Sequence, residues 1–192
     1  FMEDDLLVAD LSSAKTIGEY AFVNNKNLTN LKLNEKGTDM AEGAFAYAEA
    51  LANVENLGKA KNIGDYAFAY CNNLKSVTIP LRVNDIYDHA FYYCKNIKEI
   101  DFGKVINIGG AAFAQCSSLK EAILPETCRR LQDYAFSNCQ KLELLTANYL
   151  ELIGSYAFNK CYSLRLIKES IVDLRYTDGS ENPWNIIAKV VF

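Results

Sequence analysis

One histidine, His89, stands in 192 residues, and this scarcity removes the usual nucleophile–base pairings of hydrolytic catalysis. No G-x-S-x-G, P-loop or dinucleotide-type glycine pair occurs either, so the common routes to acyl or phosphoryl chemistry have no residues to run on. Basic excess is missing as well. A net charge of −4 and a pI near 5.1 leave no electrostatic footprint for a polyanion, so nucleic acid is not an expected partner. No run of 18 apolar residues is present, which excludes a membrane-inserted helix in this segment. The first residues lack the basic start and apolar stretch of a signal peptide. Because Phe1-Met2-Glu3-Asp4 opens partway through a repeating unit, a signal or anchor is expected outside this segment.

What is present is self-similarity. Ala-Phe recurs with its phenylalanine at Phe22, Phe45, Phe68, Phe91, Phe113, Phe136 and Phe158, at spacings of 22 or 23 residues. Five residues before each stand Ile17, Met40, Ile63, Ile86, Ile108, Leu131 and Ile153. Apolar residues also recur six and nine residues after it, for example Leu74 and Val77 after Phe68. In the clearest copy, residues 63–80, Phe68, Cys71 and Leu74 share one side of a short helical stretch. Val77 and Ile79 then alternate with Ser76 and Thr78 as in a half-buried strand. Each unit is therefore expected to be a short helical turn followed by a short strand. Stacked at the strand spacing, such units bury one continuous core in a rod roughly 35 Å long. Gly18, Gly64, Gly109 and Gly154, four residues before their phenylalanines, are expected at turns needing φ > 0 or a close backbone approach. The second unit, with Ala48 in the cysteine slot and Asn56 in place of an apolar strand residue, is expected to be the most helical and to fray locally.

Residues 63–80 and 153–167 resemble the BspA-like branch of the leucine-rich-repeat family, whose unit reads approximately I-G-x-x-A-F-x-x-C-x-x-L-x-x-I-x-I-P. The likeness spans residues 6–169. It implies an α/β repeat solenoid, a right-handed curved rod with parallel strands on the concave face and helical turns on the other. It also implies secreted or surface proteins, several of them adhesins, so the expected location is extracellular or cell-surface. The solenoid is expected over residues 1–170 and a C-terminal capping segment over 171–192. No cofactor or metal is expected.

Cys71, Cys94, Cys116, Cys139 and Cys161 share one repeat position and are expected as buried free thiols, inter-rung disulfides being the alternative. His89 occupies a slot held by tyrosine in other units, which points to a structural substitution rather than a base. Three surfaces remain for a partner. On the strand face, Ile123, Leu144 and Leu166 stand at outward positions, either as an apolar contact or as the seat of the C-terminal segment. On the other face, Tyr47, Tyr70 and Tyr93 repeat two residues after the phenylalanine, with Tyr92 beside the last. They offer contact area at low entropic cost, unless they simply stack on one another. The open N-terminal end, with Leu6, Leu7 and Val8, could self-associate. The expected function is non-catalytic recognition of a protein or glycan, including host or extracellular-matrix molecules. The alternative is an intracellular protein-interaction scaffold, consistent with free thiols.

Overall fold

A computed structural model describes residues 6–164 and 166–168. Among the described residues the chain winds into stacked rungs, and every strand pair is parallel. One face carries three-residue strands. Val8–Asp10, Asn30–Lys32 and Asn53–Glu55 form one sheet, Ser76–Thr78 and Glu99–Asp101 a second, and Glu121–Ile123, Leu144–Thr146 and Leu166–Lys168 a third. Their registers align the apolar column foreseen from the repeat, such as Val77↔Ile100 and Ala122↔Leu145↔Ile167. A second ladder of two-residue strands follows the column five residues before each phenylalanine, and it is interrupted only between Asn62–Ile63 and Asp85–Ile86. The sequence reading missed it, because two residues are too few to show an alternation.

The third face overturns the helical expectation. Among the described residues the only helix is a 3-10 turn at Leu57–Lys59. In the third rung, the N–H groups of Ala67, Ala69 and Cys71 close turns onto the carbonyls of Gly64, Tyr66 and Phe68 at 3.2, 2.9 and 3.2 Å. The N–H groups between them, of Tyr66, Phe68 and Tyr70, go to Asp88, Ala90 and Tyr92 of the next rung at 3.0, 2.8 and 2.8 Å. Every second donor is thus committed to a neighbour, and no i→i−4 ladder can form. The backbone meets this with left-handed residues on both sides of each phenylalanine. Tyr66 (φ 53°) and Tyr70 (φ 61°) flank Phe68, and Tyr134 (φ 59°) and Asn138 (φ 61°) flank Phe136. Such values suit the third position of type II turns.

Phenylalanine rings stack along the axis from Phe22 to Phe158, with centroids 5.3–5.8 Å apart at every step. From Phe45 onward these rings are essentially buried, and with the aliphatic columns they form one core. Offset-stacked pairs add about 0.5–1.5 kcal/mol each beyond area burial. The recurring glycines serve close approach rather than positive φ. A Cβ on Gly64 would lie 2.8 Å from the Met40 carbonyl oxygen, whereas one on Gly18 would meet nothing within 4 Å.

The second rung deviates in a definite way. Asn56 turns left-handed (φ 64°) and its Nδ2 donates to the Leu33 carbonyl at 2.9 Å, while Leu57, one residue later, enters the core in its place. This one-residue shift coincides with the interruption between Asn53–Glu55 and Ser76–Thr78. Bonds on the turn face bridge the gap, with Phe45 N–H to Ala67 O at 2.8 Å. The expected capping segment, 171–192, lies outside the described residues.

Candidate functional site

Tyr47, Tyr70 and Tyr93 lie in one column on the turn face, two residues after their phenylalanines. The sequence argument placed them outward by helical angle; the structure places them by backbone handedness, with φ of 62°, 61° and 62°. Tyr47 is 40% exposed, while Tyr70, Tyr92 and Tyr93 are half-buried because they cover one another. Tyr47 and Tyr70 stack at 4.4 Å with 9° between planes, and Tyr70 and Tyr93 meet at 4.8 Å and 44°. The rings therefore stack along the ladder and still keep part of their surface toward solvent.

Tyr92 extends the column into a patch. Three other rungs have alanine at its position, Ala46, Ala69 and Ala114, whereas Tyr92 sets its ring edge-on to Tyr70 at 5.5 Å and to His89 at 5.4 Å. His89 stacks in turn on Tyr66 at 4.5 Å. Six aromatic rings over three rungs are thereby continuous. Lys95 Nζ sits 4.2 Å over the Tyr93 ring, a cation–π contact that closes one end. Burial and the neighbouring hydroxyls of Tyr92 and Tyr47 push the Tyr70 hydroxyl up to about 12, so it stays a neutral donor and acceptor at ordinary pH. His89 and Tyr66 were not foreseen as part of this patch; the repeat position they share with Tyr20, Tyr134 and Tyr156 was the available signal.

On the strand face the three apolar candidates separate. Ile123 is 57% exposed and pairs with Thr146, whereas Leu144 is half-buried and pairs with Leu166, whose side chain lies outside the described residues. Ile123 borders a groove of about 590 Å³ with Lys98, Lys120, Lys141, Glu99 and Glu121, so its surroundings carry charges of both signs rather than an apolar patch. At the N-terminal end Leu7 and Val8 are both exposed, and Ala9 enters the core.

The cysteine column holds free thiols. Each donates to the phenylalanine carbonyl one rung earlier, from Cys94 to Phe68 at 3.0 Å to Cys116 to Phe91 at 3.5 Å. Burial pushes Cys116 up to about 12 and raises Cys71, Cys94 and Cys139 as well, the opposite of what a nucleophilic thiol needs. Cys128, off the column, is also buried. Among the described residues no three carboxylate, thiol or imidazole side chains converge to hold a metal, and no helix is long and apolar enough to cross a membrane.

Stacked parallel rungs with this repeat define a leucine-rich-repeat solenoid. The chain belongs to the BspA-type leucine-rich-repeat family, whose model matches residues 7–107 and 103–171 in six copies. Among solved structures it is similar to a leucine-rich-repeat protein of T. pallidum, with a TM-score of 0.71 and 22% identity over 85% of this chain and 80% of that one. A leucine-rich cell surface protein of Faecalibacterium prausnitzii is also similar, with a TM-score of 0.51 and 19% identity over 95% of this chain and 62% of that one. No curated protein matches the chain significantly.

Proposed function

We propose that this chain is a non-catalytic protein-recognition module, displayed at the cell surface or secreted, and that the patch around Tyr47, Tyr70, Tyr92 and Tyr93 is its contact. The observation that carries this is the stacking itself. A sugar docks on an open aromatic face, but both faces of Tyr70 are covered by Tyr47 and Tyr93, and Lys95 lies over Tyr93. What Tyr70 keeps outward is ring edge and hydroxyl, the parts of tyrosine that protein interfaces use. A protein is therefore the partner favoured over a glycan, and host or extracellular-matrix proteins are the first to try. Surface location is supported by the family and by the description of the F. prausnitzii relative.

Six unbridged thiols favour the competing reading, an intracellular scaffold. Their burial weakens that argument, because thiols held in the core and bonded to carbonyls keep out of reach of oxidants in any compartment. The test is capture of proteins from extracellular-matrix extract by the chain and by a Tyr47→Ser, Tyr70→Ser, Tyr93→Ser variant with unchanged circular dichroism. Loss of capture supports the patch as the contact. Equal capture by the folded variant rejects it.

A further inference from the structure

Among the described residues, Tyr47 and Tyr70 are the closest pair of stacked phenols, with ring centroids 4.4 Å apart and planes 9° apart. Aromatic pairs ordinarily keep about 4.5–7 Å between centroids, so these rings are at the near limit of contact. Equivalent turns put them there. The Tyr47 N–H donates to the Ala69 carbonyl and the Tyr70 N–H to the Tyr92 carbonyl, both at 2.8 Å, with φ of 62° and 61°. Two tyrosines in one backbone setting, one rung apart, bring like atoms of their rings side by side, and the hydroxyls of Tyr47 and Tyr92 face that of Tyr70. The pair spans one of the two joints at which the strand face is interrupted. Asn53–Glu55 and Ser76–Thr78 belong to different sheets, and the shift at Asn56 and Leu57 lies between them. Fewer strand hydrogen bonds hold these rungs together, so opening there costs less than at a joint with a full ladder.

Phenols held in this way are set up for radical coupling. Loss of an electron and a proton from tyrosine gives a phenoxyl radical whose unpaired spin lies on the oxygen and on the ring carbons ortho and para to it. The para carbon carries the side chain, so two such radicals join through ortho carbons. In the resulting biphenol the ring centres are separated by two ring radii and one carbon–carbon bond, about the 4.4 Å already present. Coupling therefore asks the rings to turn about the new bond without pulling their rungs together or pushing them apart.

The surroundings direct the coupling to this pair. Tyr47, 40% exposed, gives an oxidant its point of access. A radical made elsewhere in the patch reaches Tyr70 through ring contact, since Tyr70 touches Tyr47, Tyr92 and Tyr93. At Tyr93 the Lys95 ammonium, 4.2 Å over the ring, opposes removal of an electron. Thiols would reduce a phenoxyl radical before it coupled, but here they are turned into the core. Cys71, the residue after Tyr70, is buried and donates to the Phe45 carbonyl at 3.4 Å.

We propose that Tyr47 and Tyr70 are a site of oxidative modification, at which a haem peroxidase with hydrogen peroxide joins the two rings by an ortho carbon–carbon bond. Each phenol gives up one electron and its hydroxyl proton, and the two radicals combine. The two ortho hydrogens then pass to the oxygens, which restores both phenols. Hydrogen peroxide takes up the two electrons and two protons and leaves as two waters. The link staples the second rung to the third across the interrupted joint, and it is independent of what the tyrosine patch binds.

The test is treatment of the dilute chain with a haem peroxidase and one equivalent of hydrogen peroxide, followed by isolation of the monomer, tryptic digestion and mass spectrometry. Residues 37–59, whose only tyrosine is Tyr47, should be recovered joined to residues 62–75 with the loss of two hydrogen atoms, in a yield unchanged by dilution. Tyr70→Phe keeps the stacked ring and removes the hydroxyl. It should eliminate the joined pair, although Tyr66 remains in residues 62–75. The linked monomer should also unfold at a higher urea concentration than the untreated chain. Absence of the joined pair, its formation only between chains, or its persistence in Tyr70→Phe would each overturn the proposal. An unchanged urea midpoint in the linked monomer would overturn the stapling of the joint.

Discussion

The Cys94 thiol donates to the Phe68 carbonyl oxygen at 3.0 Å, one rung earlier along the stack. That carbonyl also accepts the Cys71 N–H at 3.2 Å, so the sulfur occupies the second lone pair of a buried backbone group. The column position thus selects for a small side chain that is apolar enough to bury and can still donate. Replacing Cys94 by alanine leaves a small void and removes that donor, at a cost of about 1–2 kcal/mol. Serine keeps a donor but is costlier to bury. Urea unfolding of the two variants measures both effects, and an unchanged midpoint in Cys94→Ala would show the bond to be worth nothing.

Alkaline pH should expose the same column. Burial holds Cys116 and Cys128 up to about 12, and in the unfolded chain a thiol ionises at about 8.5. Between those values the folded chain binds more protons than the unfolded one, so stability falls as pH rises through the window, by about 1.4 kcal/mol per pH unit for each fully shifted thiol. Below about pH 8 the contribution is complete. Tyr70, raised to about 12 by burial, adds a loss of the same sign above its ordinary value of about 10. Denaturant midpoints should be flat from about pH 6 to 8 and drop beyond. Native thiols should also resist Ellman's reagent at pH 8 and react once the chain is unfolded.

Glycines at one repeat position should respond differently to alanine. Gly64→Ala drives a Cβ to 2.8 Å from the Met40 oxygen and the Ala41 carbonyl carbon, both backbone atoms that cannot yield without moving a rung. A loss of about 2–4 kcal/mol is expected, in the range of overpacked cores. Gly18→Ala, with nothing within 4 Å, should change stability by less than about 0.5 kcal/mol. Thermal melts of the pair decide whether the position is demanding in itself or only where a rung lies beneath it.

Left-handed backbone at a residue with a Cβ stores strain. Ala111 holds φ of 50° and its methyl takes no part in the ring stacking, so it isolates that cost. Ala111→Gly should stabilise the chain by about 1 kcal/mol, the left-handed penalty less the extra entropy of glycine. A lower melting temperature would show that the methyl's packing outweighs the strain.

The stack was legible in the sequence because burial repeats in one dimension. Phe68, Cys71, Leu74, Val77 and Ile63 each recur every 22 or 23 residues, and the observed registers join the very columns that this spacing defines. The turn face was not legible. Phe68, Cys71 and Leu74 at three-residue intervals look helical, but the choice between a helix and alternating left-handed turns depends on where the N–H groups of Tyr66, Phe68 and Tyr70 find acceptors, and those belong to another rung. The tyrosine column is visible in the sequence as a repetition, while its half-burial arises from stacking between rungs. Asp88 and Gly110, 22 residues apart, meet only through rung contact, where the Gly110 N–H donates to Asp88 Oδ1 at 2.6 Å.

The sequence by itself determined that apolar side chains recur at a fixed interval and must therefore pile into parallel rungs, since no single rung can cover its own apolar face. Tertiary structure alone decided the conformation between the strands and the continuity of the aromatic patch. Those depend on acceptors and ring faces supplied by residues more than 20 positions away, and only the stacked chain brings them within reach.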